Sequence, residues 1–573
     1  MWINKNNWET MLISCLVALM VVVCYTWFFV WSLGYHGVFG LIIYVLWFVL
    51  YNSCWDLYNC WVYDYVYYGT LFNWVELGNG IVINMSYHID LVSVLIMVIM
   101  SGGSLIVVFF VYIEMWDDKE GVSFVILLML FIVWMGVLVV SGNLIVFYLG
   151  WEGIGLISLF LISFWTERVR SVKAAFKVFS INKIGDCLLL YIICIIIGYV
   201  GCTEFDFFCI WNVIFINMYS QIGSFNVELI HLISVLVVVA GGVKSAQFGF
   251  HIWLLEAMEA PLGASALMHS STLVIAGVIL VYKLYSLIEM SWIALSILMI
   301  WGSWTALFAS FVACWQFELK IILAYSTISS MGFLYMLLGF GALSEVVVYL
   351  VSHAFIKIFL FLVVGLIMTH CNGMQDLRWM GGMFQYMGYG FVLYFWGAVG
   401  LAGLPYWSGY YCKAKMWIYV SSTYSIIRGC HLCIIISNLC TYIYLIRTGI
   451  LVFGGSKRGH RSIYREMKPA GFVIVVMFSL MCVMLYFGIM WIEFIERYYR
   501  GIYFNWNRYL QIFFIHYRML NLYGWLVIST IYVIVFLILI WLICLWCTGD
   551  KSNFRLIWHL KKWFWFIIWW FLS

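Results

Sequence analysis

Charge is what this sequence is short of. Only 9% of its 573 residues are Asp, Glu, Lys or Arg, where a soluble domain carries about 25%. Too little polar surface remains to face water, so most of the chain must face lipid. The net charge of +4 is small and scattered, which gives nucleic acid little to hold. Proline is scarce at 3 residues and histidine at 11, beside many Phe, Val, Trp and Gly. A cytosine-poor coding strand, as small organellar genomes have, would give this balance. MWINKNNWET leads straight into an apolar run, with neither a cleavable signal nor an Arg/Ser-rich transit peptide. Closely paired cysteines are few too. Most of the 17 stand singly in apolar runs, where Cys acts as a small hydrophobe. Cys430 and Cys433 in RGCHLC have no second pair close by for zinc or an iron–sulfur cluster and no following His for haem attachment. No metal site is expected.

What is there is apolar, 66% of the chain. Runs of about 18 or more apolar residues between short polar links read as transmembrane helices; barrel strands would alternate, and these do not. The fold class is an all-α polytopic membrane protein of about 15 spans. They fall at 10–34, 38–51, 89–113, 122–141, 143–164, 175–200, 228–257, 261–287, 292–314, 320–341, 344–369, 388–415, 427–452, 471–492 and 524–547. A tail, 548–573, carries Arg555, Lys561 and Lys562 in a Trp-rich segment, suited to the interface or a short span. With the N-terminus on the outer face, odd-numbered spans end on the inner one. Arg168, Arg170, Lys173 and Lys177 then lie inside, as do Lys457, Arg458, Arg461, Arg465 and Lys468, while links 52–88 and 201–227 contain no Lys or Arg. That is the positive-inside pattern. The link 493–523, with Arg497, Arg500, Arg508 and Arg518, dissents, so an extra helix lies there or a late span is misplaced.

Against this background a few charges stand out. Lys244 lies in AGGVKSAQFGFHIWL, where the bilayer should cover it, at a cost of roughly 2.5–3.5 kcal/mol or more. Glu152 lies mid-span in NLIVFYLGWEGIGLISLFL. GWEGIG lacks the strand and ribose-binding acid of a dinucleotide loop, and its glycines suit close helix packing instead. Lys183 and Asp186 in INKIGD share a helix face, either as a self-neutralising pair or as part of a path. Glu256 and Glu259 follow, then His269 in SALMHSSTLVIAG, just after Pro261 and Gly263. A lone His among apolar residues often serves packing, but Ser270, Ser271 and Thr272 could carry a water chain to it. His353 and Lys357 in VSHAFIKIFLF are one turn apart, and LAGLPYWSGYYCKAK sets Lys413 after Gly403, Pro405 and Gly409. Broken helices beside a charge are the transporter pattern; snorkelling to an interface is the plainer reading of Lys413. A buried lysine whose carboxylate partner withdraws tends to release its proton, and recovers one when the partner returns. Glu152 with Lys244 could form such a switch. Moving one charge against 100 mV takes about 2.3 kcal/mol, within what these groups could carry but not supply.

In order, YHIDLVSVL, GWEGIG, INKIGD, VKSAQFGFHIWLLEAMEAPLGASALMHSSTLVIAG, KIILAYSTISSMG, VSHAFIKIFLF and LAGLPYWSGYYCK resemble the antiporter-like chain 5 subunits of proton-pumping NADH:ubiquinone oxidoreductase, respiratory complex I, over residues 87–415. The resemblance implies two inverted five-helix repeats, spans 4–8 (122–287) and 9–13 (288–452), with spans 7 and 12 broken, after three N-terminal helices (1–121) and before a C-terminal part (453–573). It implies a proton relay in which Glu152, Lys244, His269, Lys357 and Lys413 match the family's positions, and the charges read above add Lys183, Asp186 and His353 to it. It also implies NADH, FMN, iron–sulfur clusters and ubiquinone in other subunits and no cofactor here. Its partners would be the adjacent antiporter-like chain 4, accessory subunits and lipids such as cardiolipin, in a mitochondrial inner membrane, with a bacterial inner membrane as the alternative.

Some positions depart from the family. Lys183 stands where an Arg is usual, keeping charge but not guanidinium geometry. Ala414 replaces the acid after the twelfth-span lysine, Gly263 replaces a second Pro, and only 548–573 follow the last span, where a long lateral helix and final anchor are expected. The rival readings are a chain of a multisubunit Na⁺/H⁺ antiporter, which INKIGD and the short tail disfavour, and a membrane-arm spacer that has lost pumping, which the full Glu152-to-Lys413 set disfavours.

Overall fold

The computed structural model describes residues 11–458, apart from residue 64, residues 78–80, 116–117, 119, 206–218 and 223–224, and parts of 405–424. Lipid offers the backbone no hydrogen-bond partners, so spanning segments must satisfy their amides internally. The described chain accordingly is mostly helix. Helices α1 (Met11–Tyr63), α2 (Leu91–Glu114), α3 (Gly121–Val140), α4 (Leu144–Ile162) and α5 (Val169–Val200) come first, with an antiparallel hairpin of β1 (Tyr67–Leu77) and β2 (Ile81–Ile89) after α1. A second hairpin, β3 (Tyr219–Ile222) with β4 (Phe225–Glu228), leads into α6 (Leu229–Lys244). Then follow α7 (Ile252–Glu256), α8 (Leu262–Ser270), α9 (Leu273–Lys283), α10 (Tyr285–Glu289), α11 (Trp292–Ala313), α12 (Leu319–Gly339), α13 (Leu343–His370), α14 (Gly388–Ala402) and α15 (Ser425–Phe453). Among the described residues, ten helical stretches are long and apolar enough to cross a membrane; Leu229–Lys244 and Gly388–Ala402 are shorter apolar helices. The protein is thus a polytopic helical membrane protein.

Several boundaries differ from the sequence reading. The spans placed at 10–34 and 38–51 belong to one helix, α1, which continues to Tyr63 into the link assigned to 52–88. Gly34 and Gly37 invite a break, but glycine only permits one. The rest of that link is the β1–β2 hairpin. In the two spans for which breaks are expected, the helix within 228–257 stops at Lys244 and resumes at Ile252, and the helix within 388–415 stops at Ala402, where Gly403 takes a φ of +76°, with Gly409 and Tyr410 helical again. A further interruption, at Ser271 and Thr272 between α8 and α9, was not anticipated. Spans 471–492 and 524–547, the tail and the basic link 493–523 lie outside the described residues.

The described chain groups into two compact units: residues up to Ala306 with Thr327–Ile358, and Leu307–Ser326 with residues from Phe359 onward. In the first, α1 packs on α2 and α3, α3 on α4, α4 on α5, α5 on α6, and α6 on α9. Gly150 makes the α3–α4 approach possible, since a Cβ there would sit 2.6 Å from the backbone nitrogen of Leu138. Asp90 caps α2, its Oδ1 accepting from the Ser93 amide at 2.8 Å, and the Ser93 hydroxyl accepts in return from the Asp90 amide at 2.8 Å. In the second unit α14 packs on α15, Tyr394 of α14 bonding Thr448 and the Leu445 carbonyl.

Candidate functional site

Helices α4, α5 and α6 bring the out-of-place charges together. On α4, Glu152 accepts from the Tyr148 hydroxyl through Oε1 (2.7 Å) and from the Lys183 ammonium through Oε2. On α5, Lys183 also lies 3.2 Å from Asp186 Oδ2, one turn along the same face. The other oxygen, Asp186 Oδ1, accepts from the Trp151 indole N–H at 2.7 Å and stands 3.8 Å from Lys244 Nζ. Lys244 is the last residue of α6. It is 0% exposed, donates to the Trp151 carbonyl at 2.8 Å and sits 4.6 Å above the centre of the Trp151 ring. Charges therefore alternate along one line: Glu152, Lys183, Asp186, Lys244. One end of it is part-exposed, with side chains 21% and 36% exposed at Glu152 and Lys183, and the other is buried, at 3% for Asp186 and 0% for Lys244. A buried charge is tolerable only when paired and hydrogen-bonded, and here the pairing is shared.

The break after Lys244 has its own polar lining. Ser245 donates to the Gly241 carbonyl at 2.9 Å, and Gln247 accepts from the Thr305 hydroxyl at 2.8 Å, all buried. Gly155 leaves room beside the lysine, as a Cβ there would lie 3.5 Å from Nζ. Beyond the break Glu256 accepts from Lys177 at 2.6 Å on a partly exposed surface. His269 is fully buried near the end of α8. Of the hydroxyls next to it, Ser270 and Thr272 bond back to the carbonyls of Ala266 and Leu267, at 2.5 and 3.0 Å. His353 and Lys357, one turn apart on α13, are buried too, and the backbone of His269 lies against the His353 ring. In the second unit Lys413 does not reach for an interface. It is 8% exposed and donates to the carbonyls of Leu401 and Ala402, at 2.9 and 3.2 Å, which the end of α14 leaves without helical partners. That is the favourable place for a cation at a helix C-terminus.

The geometry corrects one pairing. The carboxylate nearest Lys244 is Asp186, and Glu152 instead holds Lys183. Tyr148 and Trp151, which position the two carboxylates, were not anticipated; each lies within one turn of Glu152, but only the helix rotation shows it pointing inward. Lys283 was also missed, although a lysine ending AGVILVYK is the same kind of signal as Lys244. Among the described residues no group of His, Cys, Asp and Glu is arranged to hold a metal.

The profile of the family described as NADH:quinone oxidoreductase/Mrp antiporter, transmembrane, matches residues 141–437, from just before Glu152 to beyond Lys413. The chain belongs to this family. Among its relatives, NADH-ubiquinone oxidoreductase chain 5 of Paramecium tetraurelia is 38% identical over 396 residues, covering 69% of each chain. Chain 5 of Acanthamoeba castellanii is 31% identical over 78% of this chain and 66% of its own length. The NADH-quinone oxidoreductase subunit L of Neisseria meningitidis is 32% identical, over 68% of this chain and 58% of its own. A solved structure, the membrane-bound sulfane sulfur reductase, an archaeal respiratory membrane complex, contains a chain with the same fold: TM-score 0.70 at 16% identity, covering 84% of this chain and 95% of that one. Within the NADH:quinone oxidoreductase/Mrp antiporter family this chain is an antiporter-like, multi-pass membrane subunit of the complex I type, and the charges described above all lie inside the matched segment.

Proposed function

We propose that this chain translocates protons as a membrane-arm subunit of an NADH:ubiquinone oxidoreductase in the mitochondrial inner membrane. Electron transfer takes place in other subunits, which bind NADH, FMN, iron–sulfur clusters and ubiquinone; neighbouring antiporter-like and accessory chains and anionic lipids surround this one. What supports the reading is a single feature, the line Glu152–Lys183–Asp186–Lys244, which runs from a part-exposed pair to a fully buried ammonium. A proton leaving Lys244 makes Asp186 an unbalanced anion, which strengthens its attraction for Lys183, and that in turn loosens Lys183 from Glu152. The next proton entering the line restores the set. Such an exchange of partners passes a charge along the row without moving a helix.

His269 on α8, with His353 and Lys357 on α13, then carries the proton on within the first unit, and Lys413 serves the second repeat. The repeats are taken as spans 4–8 and 9–13, each with its broken helix, α6 and α14. Asn182 supports a hydrated path: it lies one turn before Asp186 on α5, with both amide atoms buried and no hydrogen-bond partner among the described residues, and a buried amide calls for a partner. The test is the proton-to-electron ratio of assembled complexes carrying Lys244→Ala or Glu152→Gln, each expected to pump below wild type while still reducing quinone. Wild-type ratios in both would remove the relay.

A further inference from the structure

Two cysteines of the second unit, far apart in the chain, meet at a helix end. Cys314 directly follows the last turn of α11, and Cys440 lies within α15; both are free thiols in this structure. The Cys314 thiol lies 3.4 Å from the Ser310 carbonyl, one turn back, and 3.5 Å from the carbonyl of Cys440, 126 residues further along. The Cys440 thiol in turn points at α11, where its hydrogen-bonding neighbours are the Cys314 thiol and the Ser310 side chain. Each sulfur therefore lies against the residue that carries the other.

The surroundings leave the pair reachable. Cys440 is buried, but Cys314 is only half-buried, where α11 has ended and polar residues begin. Arg447 comes seven residues after Cys440, on the same face of α15. It donates to the Gln316 carbonyl at 2.6 Å and lies 4.9 Å from the centre of the Phe317 ring. Those contacts hold the guanidinium beside the turn that carries Cys314. An ionised sulfur here thus has a donor in its partner thiol and a cation nearby, and the thiolate is the form that reacts. A single cysteine in an apolar run is a small hydrophobe; two sulfurs, a cation and an open approach make a reactive site.

We propose that Cys314 and Cys440 are a dithiol sensitive to hydrogen peroxide, closing to a disulfide that staples α11 to α15. One thiolate attacks a peroxide oxygen, the O–O bond breaks, and the sulfur becomes a sulfenic acid while the released hydroxide takes up the thiol's proton as water. The second thiol attacks that sulfur, the S–O bond breaks, the S–S bond forms and a second water leaves. The two sulfurs together lose two electrons, and the peroxide gains them. A dithiol reductant reverses the change. A bond across 126 residues closes a long loop and so restricts the unfolded chain strongly. Because α14 packs on α15, it also fixes the helix behind the break that holds Lys413. None of this chemistry requires proton translocation.

Membranes holding the assembled complex are treated with hydrogen peroxide, denatured in detergent with N-ethylmaleimide to cap every free thiol, and digested without reductant for mass spectrometry. A linked Cys314–Cys440 peptide should appear, with both cysteines lost from the capped pool together, and should vanish when dithiothreitol precedes capping. Cys187 and Cys194, exposed on α5, should stay capped as single thiols. Peroxide that leaves Cys314 and Cys440 capped, or that joins either one to glutathione or to a different cysteine, overturns the pair. In Cys440→Ser, Cys314 should be capped as fully as in untreated membranes after brief peroxide, and Cys440 likewise in Cys314→Ser. Equal loss of capping in the single variants and in wild type would mean that each sulfur oxidises alone, which also overturns the pair. The wild-type linkage needs no variant, so it decides even where a substitution prevents assembly.

Discussion

The carboxylate of Asp186 stands 3.8 Å from the ammonium of Lys244, and its other oxygen lies 3.2 Å from Lys183. One acid thus serves two lysines on different helices. Replacing it by Asn leaves Lys244 buried without a countercharge, which costs about 3–5 kcal/mol where a buried pair is broken. Asp186→Asn should lower the thermal stability of the assembled complex and reduce its proton-to-electron ratio. Unchanged melting together with normal pumping would show that Lys244 draws its support elsewhere.

Trp151 touches both ends of that pair, through its indole N–H to Asp186 and its carbonyl to Lys244. Trp151→Phe keeps a ring for the lysine but removes one hydrogen bond to a charged group, worth about 1.5–3 kcal/mol. The expected result is a partial loss of pumping with normal subunit content. A pump as effective as wild type would reduce the indole to a packing residue.

At the end of α14, Gly403 holds a φ of +76° while Lys413 bonds the carbonyls just before it. A β-carbon in that conformation costs about 1–2 kcal/mol. Gly403→Ala is therefore expected to destabilise the second unit by that order, seen as a fall in the melting temperature of the complex, whereas Gly429→Ala, with open space around it and within a helix, should stabilise slightly or do nothing. Equal effects would mean the turn is not held as described.

Outside the spans, Arg378 donates to Asp376 through Nε at 2.9 Å and through its backbone amide at 3.0 Å, holding that carboxyl below the usual carboxylate range. With the folded value depressed, the contribution is complete above the ordinary value near ~3.9 and fades as pH falls through the lower, folded one. The turn at Asp376 should become more open to limited proteolysis on acidification, and Asp376→Asn should already be open at neutral pH. Protection that does not change across this range in either form would contradict the pairing.

How much of this was legible beforehand follows from range. Glu152, Lys183, Asp186 and Lys244 are visible because a charge in an apolar run is rare whatever surrounds it, and the 7-residue gap between Lys244 and Ile252 is foreshadowed by Gly241 and Gly242. Who pairs with whom was not legible. Trp151 and Asp186 are 35 residues apart, and Lys244 and Trp151 are 93, so their contact depends on how α4, α5 and α6 are rotated, and nothing local encodes that. The β1–β2 hairpin was hidden for a related reason: YYGTLFNWVEL alternates poorly, and its ladder has two irregularities, so period-two reading found no strand. Lys283 went unnoticed because a lysine at a span's end looks like an interfacial anchor until the Val139 and Ser141 carbonyls it holds are seen.

Lys244 is where the account is most exposed, since every step passes through a buried ammonium that must lose and regain a proton. The direct measurement is proton translocation per electron in vesicles containing the assembled complex with Lys244→Ala, set beside Lys244→Arg, which stays charged at any working pH. Both variants should reduce quinone and both should pump less than wild type, because one cannot carry the proton and the other cannot release it. Full pumping by Lys244→Arg would mean that only the charge is needed there, and the relay through Lys244 would be contradicted.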